Sequence, residues 1–229
     1  MRDPGLTRRE SLLGLGGFFA ALLGAGGWKA ATSEGAGPAG VAAGAVSCVL
    51  TPEQTEGPYY IPNERVRRNI TDGKPGTPLV VRTIVVDAST CRPIKGAAVD
   101  IWHADASGVY SGFDAGAANR TFLRGVQRTD ARGLARFRTI YPGWYPGRTV
   151  HIHVKVHLGG NVVHTGQLYF PDALTNAVYR RKPYSRRPHR DTRNATDAVF
   201  RNGGRRSLLS VRKTAGLYVA TITMGVDRG

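Results

Sequence analysis

Two histidines have the type and spacing to share a metal ion. His151 and His153 lie two apart in Val150-His151-Ile152-His153-Val154-Lys155-Val156-His157-Leu158, where every second residue is apolar. A strand puts both imidazoles on one face, about 7 Å apart along the chain, so they can share one ion. Taken alone, the same pattern also fits the wet face of a sheet. Just upstream, Tyr141-Pro142-Gly143-Trp144-Tyr145-Pro146-Gly147-Arg148 bends on its prolines and glycines and can turn a phenol back towards the histidines. Further upstream, a run from Asp100 through Trp102, His103 and Gly108 ends on Tyr110. Two phenols and two imidazoles are thus available to one centre. Each phenol by itself is equally an ordinary turn or core-edge aromatic.

The elements that must position these groups read as strands. The chain has 229 residues with 41% hydrophobic and 21% charged, and its 30 Gly and 13 Pro against 16 acidic residues disfavour coiled coils and long-helix bundles. Residues 79–86 are rich in β-branched side chains, 97–102 resemble a buried strand, and 134–140 alternate after the turn Asp130-Ala131-Arg132-Gly133. The histidine strand at 150–158 turns at Gly159-Gly160-Asn161 into 162–170, and 208–212 with 217–224 form a last hairpin. Short strands with frequent turn signals predict an all-β fold, a sandwich of mostly antiparallel strands with long loops. Residues 50–62 read as an ordered irregular loop, and 172–206 as a long polar excursion with one short helix around 197–201.

Residues 1–47 are set apart from this domain, which is expected to occupy 48–229. Arg8-Arg9 stands before a modest apolar stretch from Leu12 to Trp28, followed by a Gly/Ala/Ser tract. This pattern resembles a bacterial-type twin-arginine leader and predicts export out of the cell, with no stable membrane association after cleavage; the alternative is an anchor that is never removed. The two cysteines, Cys48 and Cys91, are expected to pair in an exported chain, closing a loop of roughly 40 residues. The formal charge is +16, much of it between Val178 and Lys213, where twelve Lys or Arg face two Asp. That stretch carries no zinc-finger spacing and no ribonucleoprotein motif, so nucleic-acid binding is not expected.

The residues resemble the intradiol ring-cleavage dioxygenases, the family of catechol 1,2-dioxygenase and protocatechuate 3,4-dioxygenase. The resemblance runs from Thr55-Glu56-Gly57-Pro58-Tyr59-Tyr60 through Asp100-Ile101-Trp102-His103-Ala104 and Gly108-Val109-Tyr110. It continues through Pro142 to Pro146, Arg148 to His153, and Gln167-Leu168-Tyr169-Phe170. It implies a non-haem Fe(III) held by Tyr110, Tyr145, His151 and His153, with no organic cofactor. Tyr145 would be the tyrosinate that leaves as a catechol chelates, Arg148 would stabilise negative charge developing on the substrate, and Gln167 would hydrogen-bond nearby. The implied reaction opens a catecholic ring between its two hydroxyl-bearing carbons with O2 and yields a muconate-type diacid. Phenolate oxygen is a hard anionic donor suited to ferric iron, whereas Zn(II) sites favour Cys, His and carboxylate.

Only Pro146 and Gly147 separate Tyr145 from Arg148, where intracellular relatives carry a longer insertion; this predicts a more open pocket. The helical dimerisation segment of such relatives has no counterpart before Cys48, which leaves a homo-oligomer open. Arg148 read alone belongs to a basic surface, and Gln167 to an exposed strand face. His103 and His157 are expected to be structural, His164 and His189 to lie at the surface. The competing reading is a secreted β-sandwich module that binds carbohydrate or polyanion without catalysis.

Overall fold

The computed structural model describes residues 48–228; the leader and linker assigned to 1–47 lie outside the described residues. Eight strands form two four-stranded sheets. β1 (Pro78–Asp87), β4 (Leu134–Ile140), β7 (Ser210–Thr214) and β8 (Leu217–Val226) make one, in the order β4-β1-β8-β7. β2 (Ala98–Trp102), β3 (Arg124–Arg128), β5 (His151–Leu158) and β6 (Asn161–Tyr169) make the other, in the order β3-β2-β5-β6. All pairings are antiparallel except β1 with β8, which run parallel from Leu79↔Tyr218 to Asp87↔Val226. The expected β-sandwich is therefore what the chain forms. β3 escaped the sequence reading because Arg-Gly-Val-Gln-Arg offers no apolar alternation.

The core lies between the sheets. Val81, Val85 and Phe137 from one meet Val99, Ile101, Ile152, Val154 and Val156 from the other, all 0% exposed. Each such aliphatic side chain contributes about 1.5–3 kcal/mol of transfer free energy.

Period two then sends the alternate residues of the second sheet to its outer face: Asp100 and Trp102 on β2; His151, His153 and Lys155 on β5; Gln167 and Tyr169 on β6. That face is not wet. His151, His153 and Lys155 are buried, because the irregular segment from Thr51 to Glu64 lies over them. Lys155 pairs with Glu56, Gly57 packs against the His153 ring, and Gln54 N–H groups donate to Val199 and Asn202 carbonyls.

The excursion after β6 holds more helix than its composition suggested: α1 (Asp172–Tyr179), three short 3-10 turns, and α2 (Ala198–Arg201). Asp197 caps α2 by accepting the Phe200 N–H at 2.8 Å. Cys48 and Cys91 form a disulfide, with Cα atoms 5.2 Å apart. Among the described residues no helix is long and apolar enough to cross a membrane.

Candidate functional site

The histidine strand sets the floor of the site. The His151 Nδ1–H donates to the Thr149 carbonyl at 2.6 Å, so the lone pair sits on Nε2, 3.1 Å from His153 Nε2. The Tyr145 hydroxyl lies 3.1 Å from the same His151 nitrogen. The Tyr110 hydroxyl is buried with no hydrogen-bond partner, and its ring sits 5.5 Å from that of Tyr145 and 6.1 Å from that of His153. The structure thus brings together all four expected ligands, from two loops and one strand.

Local backbone chemistry explains how each phenol gets there. The Asp105 carboxylate accepts the N–H groups of Ser107 and Val109, and Gly108 takes φ +84°, turning the chain so that Tyr110 points inwards. The second loop rests on the first: Gly143 N–H donates to Asp105 O, and a Cβ on Gly143 would stand 2.2 Å from that oxygen. Arg187 holds the loop from outside by donating to Trp144 O while its guanidinium lies 4.4 Å from the Trp144 ring centroid.

Burial drives the His151 imidazole down to about 3, helped by Arg148, and drives His153 well below the usual range, helped by His151. Both are neutral at pH 7, the form that donates to a metal. Burial pushes the Tyr110 and Tyr145 phenols up, Tyr110 far more; Arg148 moderates the shift at Tyr145. Deprotonating both therefore takes a strong local cation, and a trivalent ion supplies one. The donor set of two phenol oxygens and two neutral imidazoles, together with the unpartnered Tyr110 oxygen, fits a hard oxidised metal such as Fe(III). No group of three His, Cys, Asp or Glu forms a competing metal cluster among the described residues.

Arg148 and Gln167 stand beside this centre and touch each other. Arg148 Nη2 donates to Gln167 Oε1, and its Nε donates at 2.9 Å to Asp197, whose carboxylate also takes the Thr149 N–H at 2.7 Å. Burial alone would raise the Asp197 carboxyl, but the Phe200 and Thr149 N–H donors and the Arg148 guanidinium outweigh it and hold it low. The guanidinium is held up in turn by Tyr145 and Asp197 against its own burial. Gln167 Nε2 donates to Thr55 O at 3.0 Å, tying β6 to the covering loop. Neither residue is free surface.

Four contributors were not singled out from the sequence. Tyr59 stacks on Tyr110 at 4.1 Å and 10°, and meets Tyr145 edge-on at 6.0 Å. Trp102 stacks on His153 at 4.9 Å and 5°. Arg124, 1% exposed, donates to Ser111 O and Tyr59 O, clamping the Tyr110 loop to the covering loop. Asp197 is the fourth. Arg124 could have been suspected as the one charge in Phe122-Leu123-Arg124-Gly125-Val126; nothing in the sequence near Asp197 points to Arg148.

Of the other histidines, His103 is structural as expected: it is buried, its rings nitrogens bond Ala104 O and Thr139 Oγ1, and burial lowers it to about 4. His157 is half-buried and His189 exposed. His164, expected at the surface, is 1% exposed with Nδ1 2.8 Å from a Glu53 oxygen, because the covering loop closes over β6 there too.

Comparison with known proteins agrees with the geometry. The family model described as Dioxygenase matches residues 55–177. The chain is similar to a catechol 1,2-dioxygenase of Acinetobacter lwoffii, 37% identical over 101 residues, which is 42% of this chain and 32% of that protein. It is also similar to the protocatechuate 3,4-dioxygenase beta chain of Burkholderia cepacia, 32% identical over 48% of this chain and 52% of that one. The matched part is thus a third to a half of these curated relatives' length. Among solved structures, an intradiol ring-cleavage dioxygenase from Tetranychus urticae superposes with a TM-score of 0.73 at 36% identity, covering 79% of this chain and 95% of that one. The dioxygenase domain of a dioxygenase carbohydrate-binding protein fusion from Streptomyces sp. SirexAA-E gives 0.60 at 36% identity, covering 79% and 99%.

Proposed function

Because the chain belongs to the intradiol ring-cleavage dioxygenase family, we propose that it is a non-haem Fe(III) enzyme that opens catecholic rings between the two hydroxyl-bearing carbons with O2, releasing a muconate-type diacid. The observation that carries this reading is the gathering of the Tyr145 hydroxyl and the buried, unpartnered Tyr110 phenol around the facing Nε2 atoms of His151 and His153. Ferric iron, when bound, supplies the Lewis acidity that draws electron density from a chelated catecholate and opens its ring to O2.

The chain's own groups divide the remaining work. Held as the tyrosinate by a ferric ion, Tyr145 would be the group suited to take a proton from an incoming catechol at its oxygen: it is only partly buried, at the rim of a loop that continues into exposed Pro146 and Gly147. Tyr110 is enclosed beneath Tyr59 and stays in place. Arg148 presents a fixed positive charge that stabilises negative charge developing on the substrate, with Asp197 and Gln167 setting its direction. Trp102 and Tyr59 wall the histidines and Tyr110 off from water.

Export is part of the proposal. The Arg8-Arg9 leader pattern motivates it, and the Cys48–Cys91 disulfide suits an oxidising compartment. Substrates would then be catechols met outside the cell.

The deciding experiment loads the purified chain with iron and follows both colour and oxygen. One iron per chain, a burgundy tyrosinate-to-iron band that moves on anaerobic addition of catechol, and O2 uptake with diacid formation are the expected results. Tyr145→Phe should alter the band and cut turnover at least a hundredfold. A chain that binds no iron, or one that binds it without colour and leaves catechols intact in air, overturns the reading.

A further inference from the structure

Not all of the basic residues between Val178 and Lys213 are surface charge. Arg187 and Arg190 are internal fittings, the first on Trp144, the second paired with Asp172 at 2.7 Å. Both carboxylates of the stretch are also committed. Asp197 holds Arg148, and Asp191 takes the Gly147 N–H and the Thr192 hydroxyl. Arg201, Arg205 and Arg206, like Arg180, Arg181, Lys182 and Arg186, are exposed and have no ion-pair or side-chain hydrogen-bond partner among the described residues; what sets the three apart is that they lie around one space.

These three line a single cavity of about 360 Å³, whose remaining wall includes Phe200, Ala195 and Asn194. Three arginines lining one half-open pocket, with no carboxylate among the described residues paired to them, give it a positive potential that favours an anion. Its size exceeds what a small inorganic anion needs and falls in the range of roughly 300 Å³ and above that suits ring-sized organic ligands. Its wall is mixed, with Phe200 and Ala195 apolar and the arginines planar cations. A guanidinium pairs with a carboxylate through two parallel N–H donors and also lies flat against aromatic rings.

The frame is already rigid. Asn194 donates to Phe170 O at 2.9 Å and accepts from Thr149 Oγ1 at 2.7 Å. Gln54 donates to Val199 O at 2.8 Å and Asn202 O at 2.9 Å, and the Phe200 ring meets Tyr169 edge-on at 4.9 Å. Ordering the three arginine side chains is then the main entropic cost of binding, since the frame around them is already held.

We propose that the cavity between α2 and the Gly204–Ser207 turn is a binding site for aromatic dicarboxylates, separate from the tyrosine–histidine centre. It needs neither iron nor ring cleavage. The arginines engage the two carboxylates while the ring covers the Phe200 wall.

The test is calorimetric titration of the full-length, iron-loaded protein with benzene-1,3-dicarboxylate, a probe with no catechol group. One site per chain is expected, with the visible band unmoved. The triple variant Arg201→Ala, Arg205→Ala, Arg206→Ala should weaken binding at least tenfold without changing the melting temperature. Lysine at the same three positions keeps the charge but loses the planar fork, and should weaken binding at least threefold. Cyclohexane-1,3-dicarboxylate and inorganic phosphate should each bind at least fivefold more weakly. Undiminished binding in the alanine variant, a shifted visible band, equal affinity for phosphate, or heparin binding that replaces binding of the aromatic acid would each overturn the proposal. So would full retention in the lysine variant.

Discussion

At the scale of single residues, the chemistry rests on groups kept in unfavourable surroundings by specific partners. His151 and His153 are neutral because they are buried, and the partly buried Arg148 charge is paired by Asp197, which faces it across 49 positions of sequence. The Asp197 side chain is 0% exposed, so its loss leaves a partly buried guanidinium without its counter-ion. Asp197→Ala should therefore cost about 3 kcal/mol in urea unfolding, and should lower kcat at least tenfold while iron content stays constant. The same carboxylate sets an acid limit. Its pKa is lower in the folded chain than the ordinary 3.8, so the unfolded state binds the proton more tightly. The stability it contributes is complete well above pH 3.8 and disappears as pH falls through the lower folded value. Unfolding free energy followed from pH 6 downwards should drop in that window, and the Asp197→Asn variant should lose this component. An unchanged slope in the variant would remove Asp197 from the account.

Among elements, the site depends on two loops that touch backbone to backbone. Gly143 lies against the carbonyls of Asp105 and Ala106, and Gly108 against the carbonyl of Trp144, so the Tyr110 and Tyr145 loops fit only where side chains are missing. Gly143→Ala should force them apart and weaken iron retention against a chelator at least tenfold, with little change in far-ultraviolet circular dichroism. Strand-borne parts of this arrangement were legible beforehand. The 134–140 strand has the bounds its alternation implies, and the histidine strand begins one residue later than expected. Loop-borne parts were less so. Turn chemistry locates a bend at Gly108 or Gly143, but not which other bend it packs against. β3 was missed for a related reason: its Arg124 is buried beneath the Tyr59 segment while Arg128 at its other end is exposed, so burial along it does not follow a polar–apolar alternation.

For the whole molecule, the disulfide and the covering loop act together. Cys48 ties the start of the described chain to the turn after β1, and Thr51 N–H continues the attachment by donating to Gly225 O at 2.9 Å. Closing a loop of 43 residues restricts the unfolded chain by about 4 kcal/mol on the chain-entropy account. Cys48→Ala with Cys91→Ala should lower the unfolding free energy by about 3–4 kcal/mol, as read from denaturant midpoints with and without reductant; equal midpoints for wild type under the two conditions would contradict this. By itself the sequence determined the sandwich, the shared face of His151 and His153, and the family whose motifs include all four candidate ligands. Those follow from period-two alternation and from short contiguous patterns. Only the tertiary structure decided that the polar face of the histidine strand is buried, that Arg148 answers to Asp197, that β1 runs parallel to β8, and that three arginines are left around one cavity. Alternation specifies which side chains share a face, whereas what covers that face depends on segments far away in the chain.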